Sequence, residues 1–212
     1  MFMDRMAPGI LRLSVMDQEI DLFEGQYPVP NGVSYNSYLI EDERLCLLDT
    51  VDARKQEEWL GGLEETLAGR RLDYLVISHM EPDHAGSIAA LCARQPQVKL
   101  VANAKTFAML DQFTGEHPLS QERVTVGEGG TLALGSHTLH FVLAPMVHWP
   151  EVMVAYEDSQ KVLFSADGFG NFGPLTYAEA WADEARRYYT NIVGKYGVQV
   201  QGLLKKAAAL DI

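Results

Sequence analysis

Near the start of the chain Leu11, Leu13 and Val15 alternate with Arg12 and Ser14, a period of two that predicts a half-buried β-strand. Strand-like runs follow at residues 33–40 and 45–49, with turn residues such as Pro30-Asn31-Gly32 between the segments. The first third therefore reads as an antiparallel meander. The period then changes: Trp59, Leu60, Leu63 and Leu67 recur at helical spacing within residues 53–69, which predicts an amphipathic helix. The apolar run 72–78 after it reads as a buried strand. Gly86 is expected to keep the next turn narrow, and small and apolar residues at 87–93 begin a helix. A strand at 99–103 and a helix at 104–113 continue the alternation.

Beyond Gly115 the pattern returns to strands, at 123–127, 131–134, 137–143, 152–156 and 161–165. Helices are predicted from about 178 to 193 and from about 198 to 210. This order fits an α/β fold with two sheets packed face to face and helices outside, an αββα sandwich. With no repeat, low-complexity tract or linker, residues 1–212 read as one domain.

Composition narrows the partners. Seventeen basic against twenty-nine acidic residues give a formal charge of −12, which disfavours nucleic acid and anionic membranes. The 47% hydrophobic content is ordinary for a globular chain with a substantial core. Cys46 and Cys92 each sit inside an apolar run and read as reduced core residues of a cytoplasmic protein. The first residues lack a signal-peptide core and no apolar stretch approaches the length of a membrane span, so the chain is expected to be neither exported nor inserted.

The densest chemistry lies just past the predicted strand at 72–78. His79-Met80-Glu81-Pro82-Asp83-His84 packs four metal-capable side chains into one short loop, enough to seed a binuclear centre. Its mixture of carboxylate and imidazole suits iron or manganese at least as well as zinc, whereas a thiolate-rich set would point to zinc. Asp83 is also expected to cap the following helix. Two further candidates, His148 and Asp167, each follow a predicted strand, and strand ends gather at one edge of a sheet. His137 and His140 flank Thr138-Leu139 in one strand and, three apart, point to opposite faces, so they read as surface or packing residues. His117, in a polar loop, reads the same way.

These residues carry a resemblance. The His-x-Glu-x-Asp-His loop, His148 in Met-Val-His-Trp-Pro and Asp167 in Ser-Ala-Asp-Gly-Phe-Gly resemble the metallo-β-lactamase-like domain of flavodiiron proteins, or A-type flavoproteins. Segments 33–40 and 185–193 support it, and the similarity runs from about Leu22 to Ile212. The resemblance implies two iron ions: His79, Glu81 and His148 would hold one, Asp83 and His84 the other, with Asp167 bridging. Zinc hydrolases of this fold usually carry a histidine where this chain has Glu81, and the added negative charge favours iron. Three ligand carboxylates against two ferrous ions leave a small positive surplus.

The resemblance also implies a reaction, the reduction of O2 to water, of NO to N2O, or both. It expects one more histidine, on a strand after the last helix, and a flavodoxin-like domain carrying FMN. The sequence stops before either, so the expectation is a sandwich truncated at its C-terminus. Electrons would then come from a rubredoxin-like or flavoprotein partner. Family members pair head to tail, which implies a homo-oligomer. A zinc-dependent hydrolase of the same fold, and an inactive metal-binding remnant, are the alternative readings.

Overall fold

The computed structural model describes residues 1–175 and 181–212. Its first half contains strands β1 (Phe2–Ala7) and β2 (Ile10–Asp17), a small hairpin of β3 (Leu22–Phe23) and β4 (Tyr27–Pro28), then β5 (Val33–Ile40) and β6 (Cys46–Leu48). Helix α1 (Gln56–Leu67), strand β7 (Tyr74–Val76), helices α2 (Pro82–Ala85) and α3 (Ile88–Arg94), strand β8 (Lys99–Ala102), helix α4 (Ala104–Thr114) and strand β9 (Arg123–Thr125) follow. The second half adds β10 (Thr131–Ala133), β11 (Thr138–Leu143), β12 (Met153–Glu157) and β13 (Val162–Phe164), then α5 (Trp181–Tyr188) and α6 (Gly197–Ala207).

Seven strands form one sheet in the order β1-β2-β5-β6-β7-β8-β9, and four form a second in the order β10-β11-β12-β13. The meander half is antiparallel, with β2 and β5 paired from Ile10↔Ile40 to Asp17↔Val33. From β6 to β9 the pairing is parallel. Parallel strands are covered on both faces, which is why all three residues of β6 are buried and the segment reads as unbroken apolar sequence.

Alternation divides the core into two layers. Ile10, Ile40, Leu48, Val76 and Val101 on one face of the large sheet meet Leu139, Phe141, Met153, Ala155 and Phe164 of the small one. The opposite face, with Leu11, Leu13, Leu39, Leu47, Leu75 and Leu100, packs against Trp59, Leu63, Leu91, Phe107 and Leu110 of the helices. Trp59 is fully buried and donates from Nε1 to Ser37 Oγ at 2.8 Å, fastening α1 to β5. Helix α6 lies by the small sheet, where Lys206 Nζ donates to the Leu143 carbonyl at 2.8 Å. The layer order is that of the metallo-β-lactamase-like αββα sandwich expected from the sequence.

Several expected elements change at their ends. The hairpin β3–β4 and the edge strand β1 have too few alternating apolar residues to read as strands. Asp83 does not cap a helix: it lies inside α2, whose N-cap is Glu81, and the Ser87 cap of α3 makes no side-chain bond. The helix expected at 178–193 is α-helical at 181–188 and then widens into a π turn, Tyr189–Val193, while its start lies outside the described residues. Cys46 and Cys92 are both buried and unpaired. Among the described residues no helix is long and apolar enough to cross a membrane.

Candidate metal centre

The parallel strands bring the site residues to one edge. Beyond β7, Ile77 still bonds to the neighbouring strand, donating to the Val101 carbonyl at 2.9 Å, and the chain then turns out through Ser78 into His79, Met80 and Glu81. Pro82 occupies the first turn of α2, where its missing N–H is not needed, and that turn presents Asp83 and His84. His148 arrives on the loop between β11 and β12, and Asp167 on the short 3₁₀ turn Ala166–Phe169 after β13.

All six candidates meet. His79, Glu81, His148 and Asp167 place one donor atom each within 4.8 Å of one another, as do Asp83, His84 and Asp167. Asp167 belongs to both groups and divides its oxygens between them. Oδ2 lies 3.2 Å from His79 Nε2 and 3.3 Å from His148 Nε2, while Oδ1 lies 3.1 Å from His84 Nε2. Glu81 Oε2 stands 2.9 Å from His148 Nε2 and 3.3 Å from His79 Nε2. The first group is almost wholly buried, whereas Asp83 and His84 are half-buried.

The donor set fits two cations. Asp167 Oδ2 and Asp83 Oδ1 are buried without an aligned hydrogen-bond partner, although imidazoles stand close to both residues. Buried carboxylate oxygens without partners are costly, and a cation at each of the two positions would satisfy them. Unequal burial also separates the two groups: a cavity of about 520 Å³ reaches Asp83, His84 and Asp167, and its lining includes Tyr35, Tyr38 and Tyr188 but none of His79, Glu81 and His148.

Charge sets the proton affinities. Burial alone would lower the histidine pKa values, but hydrogen bonds to Glu151 and Glu81 lift His79 to about 10, and those to Asp167 and Glu81 lift His148 to about 9. Burial raises the Asp83 carboxyl to about 7. Burial pushes Glu81 and Asp167 the same way, yet the surrounding imidazoles outweigh it and hold both below their ordinary range.

Four residues at the site were not expected. Glu151 Oε1 accepts from His79 at 2.7 Å, through the ring Nδ1, and from the Met80 amide at 2.9 Å. Asp49 Oδ1 accepts from the Ser78 amide at 2.7 Å, and its Oδ2 lies 3.2 Å from His84 Nδ1. These two carboxylates orient the histidines so that each offers Nε2 to the centre. They also remove the positive surplus counted from the ligand carboxylates alone. Glu24, at the tip of the β3–β4 hairpin, sets its carboxyl against Glu81, and desolvation there together with that charge lifts it to about 7. Tyr188 is buried against the cavity, and burial pushes its hydroxyl pKa well up.

A turn acid such as Asp49 or Glu151 carries no sequence signal of its role. Backbone strain is the mark that only coordinates reveal: Glu24, Asp49, Met146 and Ala166 are non-glycine residues at φ 50°, 57°, 65° and 46°, each beside the site. His137 and His140 stay outside it, as expected. His137 Nδ1 is buried against Glu157 Oε1 at 2.9 Å, and the half-buried His140 pairs with Asp158 at 2.8 Å.

The chain has known counterparts. The family described as ODP family beta lactamase matches residues 33–196. A rubredoxin-oxygen oxidoreductase of Megalodesulfovibrio gigas is 37% identical over 205 residues, which covers 92% of this chain and 50% of that protein. An anaerobic nitric oxide reductase flavorubredoxin of Vibrio vulnificus is 32% identical over 206 residues, covering 92% and 41%. The crystal structure of the flavodiiron protein from Giardia intestinalis superposes with a TM-score of 0.91 at 29% identity, over 100% of this chain and 53% of that one. The chain thus spans half or less of the length of these two curated relatives.

Proposed function

This chain belongs to the ODP family beta lactamases, and on that premise we propose that it is the diiron module of an oxidoreductase that reduces O2 to water, NO to N2O, or both. The observation that carries the proposal is Asp167, whose two oxygens serve two separate donor groups. In this reading His79, Glu81 and His148 would hold one iron, Asp83 and His84 the other, and Asp167 would serve both. Bound there, a ferrous pair would supply two electrons, all that two NO need to give N2O and half of what O2 needs to give water, and FMN or a rubredoxin-like or flavoprotein donor would supply the rest and re-reduce the pair.

The chain's own residues do the rest. Glu151 and Asp49 hold His79 and His84 with Nε2 facing inward. Burial of the first group shuts water away from His79, Glu81 and His148, so access is left to the cavity side, at Asp83 and His84. Three carboxylates in the donor set favour a hard divalent cation over the softer setting of a zinc hydrolase. We further propose that residues 1–212 act as one domain, that the protein is cytoplasmic, and that it forms a homo-oligomer.

Metal analysis and gas consumption test this reading together. Apo protein loaded anaerobically with ferrous iron should retain two irons per chain and, given a flavoprotein reductant, consume O2 or NO. Protein purified without added metal that holds stoichiometric zinc with negligible iron and hydrolyses a thioester or lactam would overturn it and restore the hydrolase alternative.

A further inference from the structure

Asp49 and Glu151 both stand behind a histidine, but they use their oxygens differently. Glu151 serves its two donors, the Met80 amide and His79 Nδ1, through the single atom Oε1, and its Oε2 is buried without a partner. Asp49 gives one oxygen to each donor: Oδ1 to the Ser78 amide and Oδ2 to His84 Nδ1. The Ser78 amide directly precedes His79, so Asp49 touches the backbone of one metal position and the ring of the other. Its own backbone is held in the left-handed region at φ 57°, and its amide donates to the Val76 carbonyl at 2.9 Å. Strain kept at such a position is a sign of a role that another conformation would not serve.

We propose that Asp49 is a positioning residue that sets the metal-binding tautomer of His84 and thereby specifically determines the second metal position, whereas an amide at position 151 still holds the tautomer of His79. This rests on the diiron reading above. A metal-bound imidazole offers one nitrogen to the cation and keeps a proton on the other, and the acceptor facing that other nitrogen decides which is which. An amide in place of a carboxylate retains only one accepting oxygen. At position 151 one oxygen suffices for both donors. At position 49 it does not: with the oxygen kept on the Ser78 amide, the NH2 group faces His84 Nδ1, which must then accept, leaving the proton on the Nε2 that the metal needs.

Zinc serves as a redox-silent probe, titrated into the full apo chain and into Asp49→Asn and Glu151→Gln, with affinities read by chelator competition. The two substitutions remove the same unit of charge, so charge alone predicts parallel losses. The expected result is two equivalents for the parent, a second equivalent weakened roughly 10–100-fold in Asp49→Asn with the first unchanged, and in Glu151→Gln, which keeps an accepting oxygen behind His79, a smaller loss confined to the first equivalent. Parent-like binding in Asp49→Asn, equal loss of both equivalents there, or an equally large loss in Glu151→Gln overturns the assignment. If Asp49→Asn does not fold, nitrogen NMR of the zinc-loaded parent decides the matter: His84 must carry its proton on Nδ1 and the metal on Nε2, and the reverse overturns it. A parent that takes up no zinc overturns the diiron reading and this assignment together, whereas two equivalents unaffected by Asp49→Asn overturn this assignment alone.

Discussion

His84 Nε2 and Asp167 Oδ1, 83 positions apart in sequence, meet at 3.1 Å, while the other Asp167 oxygen faces His79 and His148. One carboxylate therefore connects a loop of the large sheet to the end of the small one. Its removal should affect both metal positions, whereas loss of a histidine should affect one. Asp167→Ala is expected to bind less than one iron per chain, His148→Ala to lose the first iron and His84→Ala the second, as read by metal analysis after anaerobic loading. Two irons retained in Asp167→Ala would contradict the shared role.

The two positions should also differ in the parent. Four donor residues surround the first and three the second, and the second opens to the cavity. Anaerobic titration of apo protein with ferrous iron should resolve two affinities, the weaker one lost first during dialysis. Two equal tight sites would contradict the geometry.

Proton binding gives the metal-free protein a definite pH dependence. His79 and His148, lifted to about 10 and about 9 by carboxylate partners that outweigh burial, contribute stability that is complete below the unfolded value of about 6.5 and lost as pH rises through 9 to 10. Asp83, raised to about 7 by burial, costs stability as pH rises from about 3.9 through 7. Glu81 and Asp167, held low, contribute fully throughout this range. The metal-free chain should therefore melt at a lower temperature at pH 9.5 than at pH 6. Metal must displace the histidine protons, so zinc affinity should rise between pH 6.5 and pH 8, with proton release measurable by calorimetry in two buffers. A higher melting temperature at pH 9.5 would mean that the histidines are not held by these carboxylates.

Gly86 sits where a Cβ would lie 2.6 Å from the Pro82 carbonyl oxygen and 2.8 Å from the Ala53 amide nitrogen. Both are backbone atoms and cannot swing aside. Gly86→Ala should cost about 1–3 kcal/mol in chemical denaturation and, by displacing α2, weaken the second metal more than the first. An unchanged stability would contradict this steric account of the turn.

Trp59 and Ser37 offer a test remote from the metal. Trp59→Ala should cost about 3–5 kcal/mol by emptying the space between α1 and the sheet. Ser37→Ala should cost about 1–3 kcal/mol by leaving the buried indole N–H without its 2.8 Å acceptor. Metal stoichiometry should hold in Ser37→Ala.

Much of this molecule is legible in local pattern. Periods of two and 3.6 mark β2, β5 and α1 because their faces differ in polarity: Arg12 and Ser14 of β2 and Ser34 and Asn36 of β5 point away from the apolar side, although β2 is buried on both faces, and α1 turns its acidic side outward. The loop from His79 to His84 is legible because its donors are neighbours in the chain. Pattern falters where apolar residues do not alternate or where two structures share one spacing. The exposed edge strand β1 carries apolar residues without alternation, and the π turn at Tyr189–Val193 shares its side-chain spacing with an ordinary helix.

By itself the sequence determined the sandwich and the chemical type of the six donors, since those follow from side-chain identity and from short-range spacing. Tertiary structure decided how the donors are shared. Asp167 becomes a bridge only because β13 ends beside α2, and Glu151 and Asp49 become supports only because chain segments 72 and 35 positions apart converge. Hydrogen bonds and charge act over a few ångströms of space, and separation along the chain does not measure that distance.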